Sequence, residues 1–253
     1  MERIDSIGFG GMELEQGDGF RFGVDAILLA AFAAGETGGK GMRQKDLLNG
    51  VELGCGNGIV SLVVSHKIPT TRITGVEVQT EEAMRAKSNV RRNHLQERIE
   101  IVHSDILDFV QNQEKKPGSY DFVVTNPPYF KRGGAIPNNS SGKYIARHET
   151  SADLDGFLRV ASQLLNRRGE LFMVHRPDRL VDICTAMRKH HIEPKELQLV
   201  APYPGKGANI LLVHGICNGG AELRVLPTIY VRNENKEYSE LIDKIYERGY
   251  SES

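Results

Sequence analysis

Three features that often define a class of protein are scarce or absent in this sequence. The formal net charge of the 253-residue chain is −1, so no overall excess of charge attracts nucleic acid or a membrane. The three cysteines, Cys55, Cys184 and Cys217, are odd in number and widely spaced, which argues against a disulfide framework. The longest apolar run, residues 26–34, is too short to span a bilayer, and the amino terminus lacks an apolar signal core. These absences favour a soluble cytoplasmic protein.

Strand-like and helix-like segments alternate through residues 46–220, which we take as the core. Hydrophobic residues make up 40% of the chain and charged residues 26%, an ordinary balance for a globular domain. The clearest strand-like runs are residues 48–53, 72–78, 99–103 and 120–125. Repeated βα units predict an α/β fold, with a parallel sheet that carries helices on both faces.

Two shorter segments flank this core. Residues 1–45 predict a hairpin over residues 12–22, turning at Gly17-Asp18-Gly19, followed by an alanine-rich helix. Residues 221–253 predict one more strand and an amphipathic helix. We therefore expect an amino-terminal extension, a core and a carboxy-terminal addition that together form one compact domain.

A glycine-rich turn, Gly54-Cys55-Gly56-Asn57-Gly58, follows the first predicted core strand. Glycines at the carboxyl end of a strand let the backbone approach a ligand closely, and ligands of open α/β sheets bind at that end. Ile59 stands where the dinucleotide fingerprint requires its third glycine, so the pattern does not predict a nicotinamide cofactor.

Three carboxylates follow or end predicted strands close to this turn. Glu52 precedes the glycines and suits the amino group of an amino-acid-like ligand, directly or through water. Glu77 ends the second core strand, where a carboxylate accepts hydrogen bonds from both hydroxyls of a ribose. Asp105 follows the third strand and suits an adenine amino group. The alternative is that Glu77 and Asp105 only cap helices.

The segments around these residues resemble motifs I, II and III of the Rossmann-like S-adenosylmethionine (SAM)-dependent methyltransferases. That resemblance implies a class I fold, with a seven-stranded, mostly parallel sheet whose last strand is antiparallel, and SAM as the cofactor. It implies that the glycines lie near the methionine part, Glu77 at the ribose and Asp105 at the adenine. The cofactor-binding set that we expect is Glu52, Gly54, Gly56, Gly58, Glu77, Val78, Asp105, Ile106 and Asn126.

Asn126-Pro127-Pro128-Tyr129 follows the fourth predicted core strand and is the most specific motif of the chain. Two prolines stiffen the turn, so that the Asn126 amide oxygen and the Pro127 carbonyl can converge on an amino group with two hydrogens. Tyr129 offers a flat face for stacking. The motif resembles motif IV of methyltransferases that act on amino nitrogens, and it predicts Asn126, Pro127 and Tyr129 as catalytic residues. By itself it leaves adenine N6, guanine N2 and glutamine amide nitrogens open.

Two flanking blocks, residues 21–30 and 143–148, resemble the bacterial tRNA adenine-37 N6-methyltransferases that act on valine tRNA. Four cations and one acid give residues 129–150 a charge of +3, interleaved with aromatic side chains. We expect Lys131, Arg132, Lys143 and Arg147 to bind tRNA together with Tyr129. The alternative is a solvated basic loop. Because the chain lacks a larger basic extension, an accessory protein is a possible second partner.

Other interpretations remain open. The reaction could be guanine-N2 methylation of rRNA or glutamine-N5 methylation of a protein, and a chain that has lost catalysis would serve as a SAM-binding and RNA-binding module. Cys184, His190 and His191 lack the spacing of zinc ligands, so we expect no metal. Lys206, in a glycine-flanked turn, could contact phosphate or simply belong to that turn.

Overall fold

An eight-stranded, mostly parallel sheet forms the centre of the computed structural model, which describes residues 3–17, 23–112, 118–128 and 153–248. The strands are β1 Arg3–Gly8, β2 Met12–Gln16, β3 Leu48–Leu53, β4 Thr71–Glu77, β5 Ile99–His103, β6 Tyr120–Thr125, β7 Leu165–His175, β8 Ile192–Ala201, β9 Ile210–Cys217 and β10 Arg224–Tyr230. The helices are α1 Val24–Ala34, α2 Ile59–Lys67, α3 Thr80–Arg92, α4 Ile106–Gln111, α5 Leu154–Leu164, α6 Leu180–Lys189 and α7 Glu240–Ile245. A short 3-10 helix, Pro177–Arg179, precedes α6.

The order of the large sheet is β10-β8-β9-β7-β6-β3-β4-β5. Strand β9 is antiparallel to both of its neighbours, β7 and β8, and the other pairings in this sheet are parallel. The expected α/β class and the antiparallel last core strand are therefore confirmed. Because β3, β4 and β6 are parallel neighbours, their carboxyl ends meet at one edge of the sheet.

The expected count of seven strands is too low by one for the large sheet. Strands β3 to β9 supply the seven, and β10 pairs in parallel with β8 as an eighth. The segment that we placed in the carboxy-terminal addition thus covers the backbone edge of β8, which would otherwise present unpaired amide and carbonyl groups. The buried Gln198 side chain strengthens this pairing, because its Nε2 donates to the Pro227 carbonyl oxygen at 3.0 Å.

The structure shows an amino-terminal hairpin that the sequence did not predict. Strand β2 pairs with β1, which precedes it. The partner segment predicted beyond Gly17 falls on residues 18–22, which lie outside the described residues. The turn falls at Phe9-Gly10-Gly11, where all three residues have positive φ angles, of 53°, 68° and 84°. Two adjacent glycines favour such a turn, and Ile7, Phe9 and Leu14 anchor the hairpin in the hydrophobic core.

Helices cover both faces of the large sheet, as predicted. On one face α1 and α2 pack with the hairpin and with Ile242 and Ile245 of α7. On the other face α4, α5 and α6 pack against the sheet around a second apolar cluster that includes Phe157. Among the described residues, no helix is long and apolar enough to cross a membrane, and no cluster of potential metal ligands occurs.

Candidate active site

A cavity of about 290 Å³ lies at the carboxyl ends of β3, β4 and β6. The glycine turn after β3, the first turn of α1 and Phe157 all contribute to its lining. The expected cofactor residues that line this cavity are Glu52, Gly54, Gly56, Glu77, Val78, Asp105, Ile106 and Asn126. Strand order alone brings these residues together, because they follow neighbouring strands of the sheet.

The glycine turn adopts a backbone that side chains disfavour. Gly54, Gly56 and Gly58 have φ angles of 71°, 52° and 86°. The amides of Gly54 and Cys55 both donate to the Val76 carbonyl oxygen, at 2.9 and 3.0 Å, which ties the turn to β4. Gly58 is not part of the cavity lining; it is the residue before α2, and a Cβ there would lie 3.4 Å from that of Ala86. That distance is an ordinary contact, so the positive φ angle is what favours glycine at this position, and the assignment of Gly58 to the cofactor stays a prediction.

Glu77 holds the glycine turn from the end of β4. Its Oε2 accepts from the Gly56 amide at 2.8 Å, and its Oε1 accepts from the Gln79 amide at 2.9 Å. Burial raises the pKa of this carboxyl above its usual range, and the two hydrogen bonds oppose that effect. Each carboxylate oxygen can accept a second hydrogen bond, so Glu77 can receive a pair of hydroxyl groups from the cavity. The residue before α3 is Gln79, so the capping alternative does not describe Glu77.

Glu52 is the most deeply buried carboxyl of the site, with only 2% of the residue exposed. Its Oε2 accepts hydrogen bonds from the amide, at 2.9 Å, and from the hydroxyl of Ser61 on α2. Burial nevertheless raises the pKa of Glu52 to about 8. A positively charged ligand group beside Glu52 would favour the ionised carboxylate and so lower that pKa. The ionised carboxylate would in turn attract the ligand group.

Asp105 caps a helix and also lines the cavity, and its role at the adenine stays a prediction. Its Oδ1 accepts from the Leu107 amide at 2.7 Å, so it is the side-chain cap of α4. Its carboxyl group also lies on the cavity beside Ile106. The capping bond fixes the side chain, which preorganises the carboxylate at the edge of the site.

Asn126 lies beside the glycine turn because β6 runs in register with β3. Thr125 is opposite Leu53, and the Thr125 hydroxyl donates to the Leu53 carbonyl oxygen at 2.9 Å. Asn126 and Pro128 line the cavity, whereas Pro127 is buried and does not belong to the lining. The other expected catalytic and tRNA-binding residues lie outside the described residues: Tyr129, Lys131, Arg132, Lys143 and Arg147.

Among the lining residues that were not predicted, three add charge or an aromatic ring to the site: Asp25, Glu82 and Phe157. Asp25 is in the first turn of α1, and Glu82 is in the first turn of α3, where Arg85 pairs with it. Both helix starts were readable from the sequence, and an acid there could have been assigned to the site. Phe157 carries no local signal, because only the packing of α5 brings it within 3.8 Å of a Cβ built at Gly54.

The charge of the cavity restricts its ligand. Five carboxyl groups line it, those of Asp25, Glu52, Glu77, Glu82 and Asp105, and no Lys, Arg or His occurs among its described lining residues. Such a lining disfavours the pyrophosphate of a dinucleotide and favours a cation. SAM has two cationic groups, a sulfonium and an ammonium. Its ribose hydroxyls and adenine amino group can also donate hydrogen bonds to carboxylates. The residues present therefore fit this cofactor.

Comparison with known proteins gives the family. Residues 40–191 match the family model described as methyltransferase small domain. A tRNA1(Val) (adenine(37)-N6)-methyltransferase of Porphyromonas gingivalis strain W83 is 30% identical over 209 residues, which cover 82% of this chain and 79% of that protein. A protein of the same name from Bacteroides thetaiotaomicron is 27% identical over 229 residues, covering 89% of this chain and 90% of the relative.

The fold is also found among solved structures. The crystal structure of a predicted O-methyltransferase from Agrobacterium tumefaciens has a TM-score of 0.67 at 20% identity, and the match covers 88% of this chain and 96% of that one. At this identity the likeness concerns the fold alone. The matched family model and the relatives agree with the acid-lined cavity, and the chain belongs to the family of the tRNA1(Val) (adenine(37)-N6)-methyltransferases, as a SAM-dependent methyltransferase.

Proposed function

We propose that this enzyme methylates the N6 amino group of an adenine in a tRNA anticodon loop, adenine 37 of valine tRNA. The observation that carries the proposal is the position of Asn126 and Pro128 on the acid-lined cavity, next to the glycine turn. The relatives from Porphyromonas gingivalis and Bacteroides thetaiotaomicron, both tRNA1(Val) (adenine(37)-N6)-methyltransferases, indicate the substrate. A base in a loop leaves its stack at lower cost than a base in a duplex, which suits a pocket that must enclose the amino group. A tRNA substrate also implies a cytoplasmic enzyme.

In the proposed mechanism, the turn acts on the amino nitrogen of the substrate. That nitrogen is a poor nucleophile because its lone pair is delocalised into the purine ring. We assign one amino hydrogen to the Asn126 amide oxygen and the other to the Pro127 carbonyl, the backbone acceptor between the two lining residues Asn126 and Pro128. This pair of acceptors favours a tetrahedral nitrogen and stabilises the positive charge that develops on it. SAM supplies the electrophilic methyl group and the thioether leaving group. No titrating base is required, because the methylated nitrogen can release its proton to solvent.

The cofactor would be held by the residues that line the cavity. We assign Glu77 to the ribose hydroxyls, Asp105 to the adenine amino group, and Val78 and Ile106 to the faces of the adenine ring. Glu52 receives the ammonium group, and Gly54 and Gly56 allow the backbone to approach the methionine part. Tyr129 would stack on the substrate base, and Lys131, Arg132, Lys143 and Arg147 would meet tRNA phosphates; these five lie outside the described residues.

The substrate can be tested with labelled SAM and separate pools of tRNA, rRNA and protein. We expect label in tRNA, recovered as N6-methyladenosine, with a rate that falls as salt is raised because phosphate contacts release counterions. Label found only in protein, or as N2-methylguanosine in rRNA, would contradict the adenine assignment. The assignment as a methyltransferase would still stand. Binding of both SAM and RNA without any turnover would indicate the non-catalytic module. If label enters tRNA only after cell extract is added, an accessory protein takes part.

The raised pKa of Glu52 predicts that binding of SAM releases a proton. In the free protein the pKa is about 8, so the group is largely protonated at neutral pH. The ligand ammonium favours the ionised form and lowers the pKa, so the proton is released and affinity rises as the pH increases towards 8. The limit of this linkage is about tenfold in affinity per pH unit for one proton. The rise should end near pH 8, where the α-amino group of the ligand, with a pKa of about 8, begins to lose its own charge.

Calorimetry in two buffers of different ionisation enthalpy measures the number of protons released. The matched control is Glu52→Gln, which preserves shape and cannot titrate, and which should reduce the release towards zero. An equal proton release by wild type and Glu52→Gln would exclude Glu52 as its source.

A further inference from the structure

Strand β2 of the hairpin runs along α3, and two asparagine side chains of that helix pair with its main chain. Asn93 accepts from the Glu13 amide at 3.0 Å and donates to the Glu13 carbonyl oxygen at 2.8 Å. Asn89, one helical turn earlier, accepts from the Glu15 amide at 2.7 Å and donates to the Glu15 carbonyl oxygen at 3.1 Å. Each asparagine side-chain amide thus makes the two hydrogen bonds that a neighbouring strand would make to one residue of β2.

The two asparagines differ in where their remaining amino hydrogen goes. In Asn93, Nδ2 also donates to the Asn89 carbonyl oxygen of its own helix, at 2.8 Å. In Asn89, Nδ2 donates to the carbonyl oxygen of Asn57 in the glycine turn, at 2.9 Å. Asn89 is completely buried, and Asn57 lies on the cofactor cavity. Asn89 therefore joins the hairpin to the turn, whereas Asn93 joins the hairpin to α3 alone.

This connection joins the hairpin to a part of the cavity lining that is distant from it in sequence. The glycine turn belongs to that lining, as do Gly23 and Asp25, which belong to the next described segment after the hairpin. A buried amide is costly unless its polar atoms are paired, and apolar side chains of the hairpin already anchor it in the core. Further contacts of β2 with α3, such as Ser88 with Glu15 at 3.0 Å, add to that anchoring. Docking of the hairpin alone does not require the bond to Asn57.

We infer that Asn89 is a positioning residue for the cofactor site, which sets the Asn57 carbonyl of the glycine turn relative to the hairpin. Asn57 in turn bonds the start of α2, since its Oδ1 accepts from the Ile59 amide at 3.3 Å. Loss of the Asn89 amide removes this bond to the turn, whereas the bond from the Gly56 amide to Glu77 remains. The inference rests on the cofactor site and is independent of the identity of the methyl acceptor.

The test compares Asn89→Ala with Asn93→Ala, using S-adenosylhomocysteine as the probe ligand. Both substitutions remove a pair of bonds to β2, so both should lower the thermal unfolding midpoint of the ligand-free protein. Only Asn89→Ala removes the bond to the turn, and we expect it to weaken calorimetric affinity at least about tenfold. Asn93→Ala should stay within about twofold of wild type.

Unchanged affinity in Asn89→Ala, or an equal loss in both variants, would reduce Asn89 to an anchor of the hairpin. If Asn89→Ala does not fold, the decision rests on the wild-type protein. Hydrogen exchange of the wild-type protein gives a measurement free of mutations. The coupling is reciprocal, so the ligand should protect the amides of β2 as well as those of the glycine turn. Protection confined to the turn would overturn the inference, whereas a wild-type protein that binds no probe would instead contradict the cofactor site.

Discussion

Replacing Asn126 with alanine should slow methyl transfer by about 10²–10³ and leave the affinity for SAM nearly unchanged. The Asn126 amide oxygen is proposed to accept a hydrogen from the substrate amino group, and that bond strengthens as the nitrogen becomes positive. An interaction made mainly in the transition state affects turnover more than ground-state binding. Asn126 follows a strand that is fixed on both sides by β3 and β7, so the variant should keep the fold.

Single-turnover methylation and calorimetric affinity should be measured on the same preparations. Tyr129→Phe is the matched mild variant, because it keeps a flat ring for stacking, whereas Tyr129→Ala should also weaken substrate capture. If Asn126→Ala folds, binds substrate and methylates at nearly the wild-type rate, the turn is only a rigid connection and the mechanism is wrong.

Replacing Glu77 with alanine should weaken SAM binding by about 1–3 kcal/mol, or roughly 5- to 150-fold. The loss has two sources. The proposed hydrogen bonds to the ribose disappear, and the Gly56 amide loses the acceptor that holds the glycine turn at 2.8 Å. Turnover at saturating cofactor should fall much less, because Glu77 is proposed to contact a part of the ligand remote from the transferred methyl group.

The control for Glu77 is Glu81→Ala. Glu81 is exposed in the first turn of α3, close in sequence to Glu77, but does not line the cavity. Its removal takes away the same charge and should change the affinity by no more than about twofold. Equal losses in the two variants would attribute the effect to overall charge, and no loss in Glu77→Ala would remove Glu77 from the ribose.

The parts of the site that the sequence predicted all depend on strand ends. Glu52, Glu77 and Asn126 could be assigned together because neighbouring parallel strands end at one edge of a sheet. Asp105 was assigned on the same basis, and it lies on the cavity while also capping α4. The local sequence pattern is sufficient to assign a residue to the site where its position follows from the strand that carries it.

The features that escaped prediction depend on contacts between distant segments. The Met12–Gln16 strand was recognised, but the choice of β1 as its partner depends on Phe9 and Leu14 entering the core and on the two asparagines of α3. Phe157 reaches the cavity only through the packing of α5. Strand β10 was recognised as a strand. Its place beside β8, however, depends on which edge strand of the large sheet has unpaired backbone groups.

Because carboxyl groups line the cavity, it should attract the cofactor more strongly before methyl transfer than after it. Methyl transfer converts the sulfonium of the donor into a neutral thioether, so the spent cofactor carries one positive charge fewer than the fresh one. Glu77, Glu82 and Asp105 remain in place throughout, and their field attracts the more positive molecule more strongly. The acidic lining thereby favours exchange of product for new donor and opposes product inhibition, an effect that should diminish as ionic strength increases.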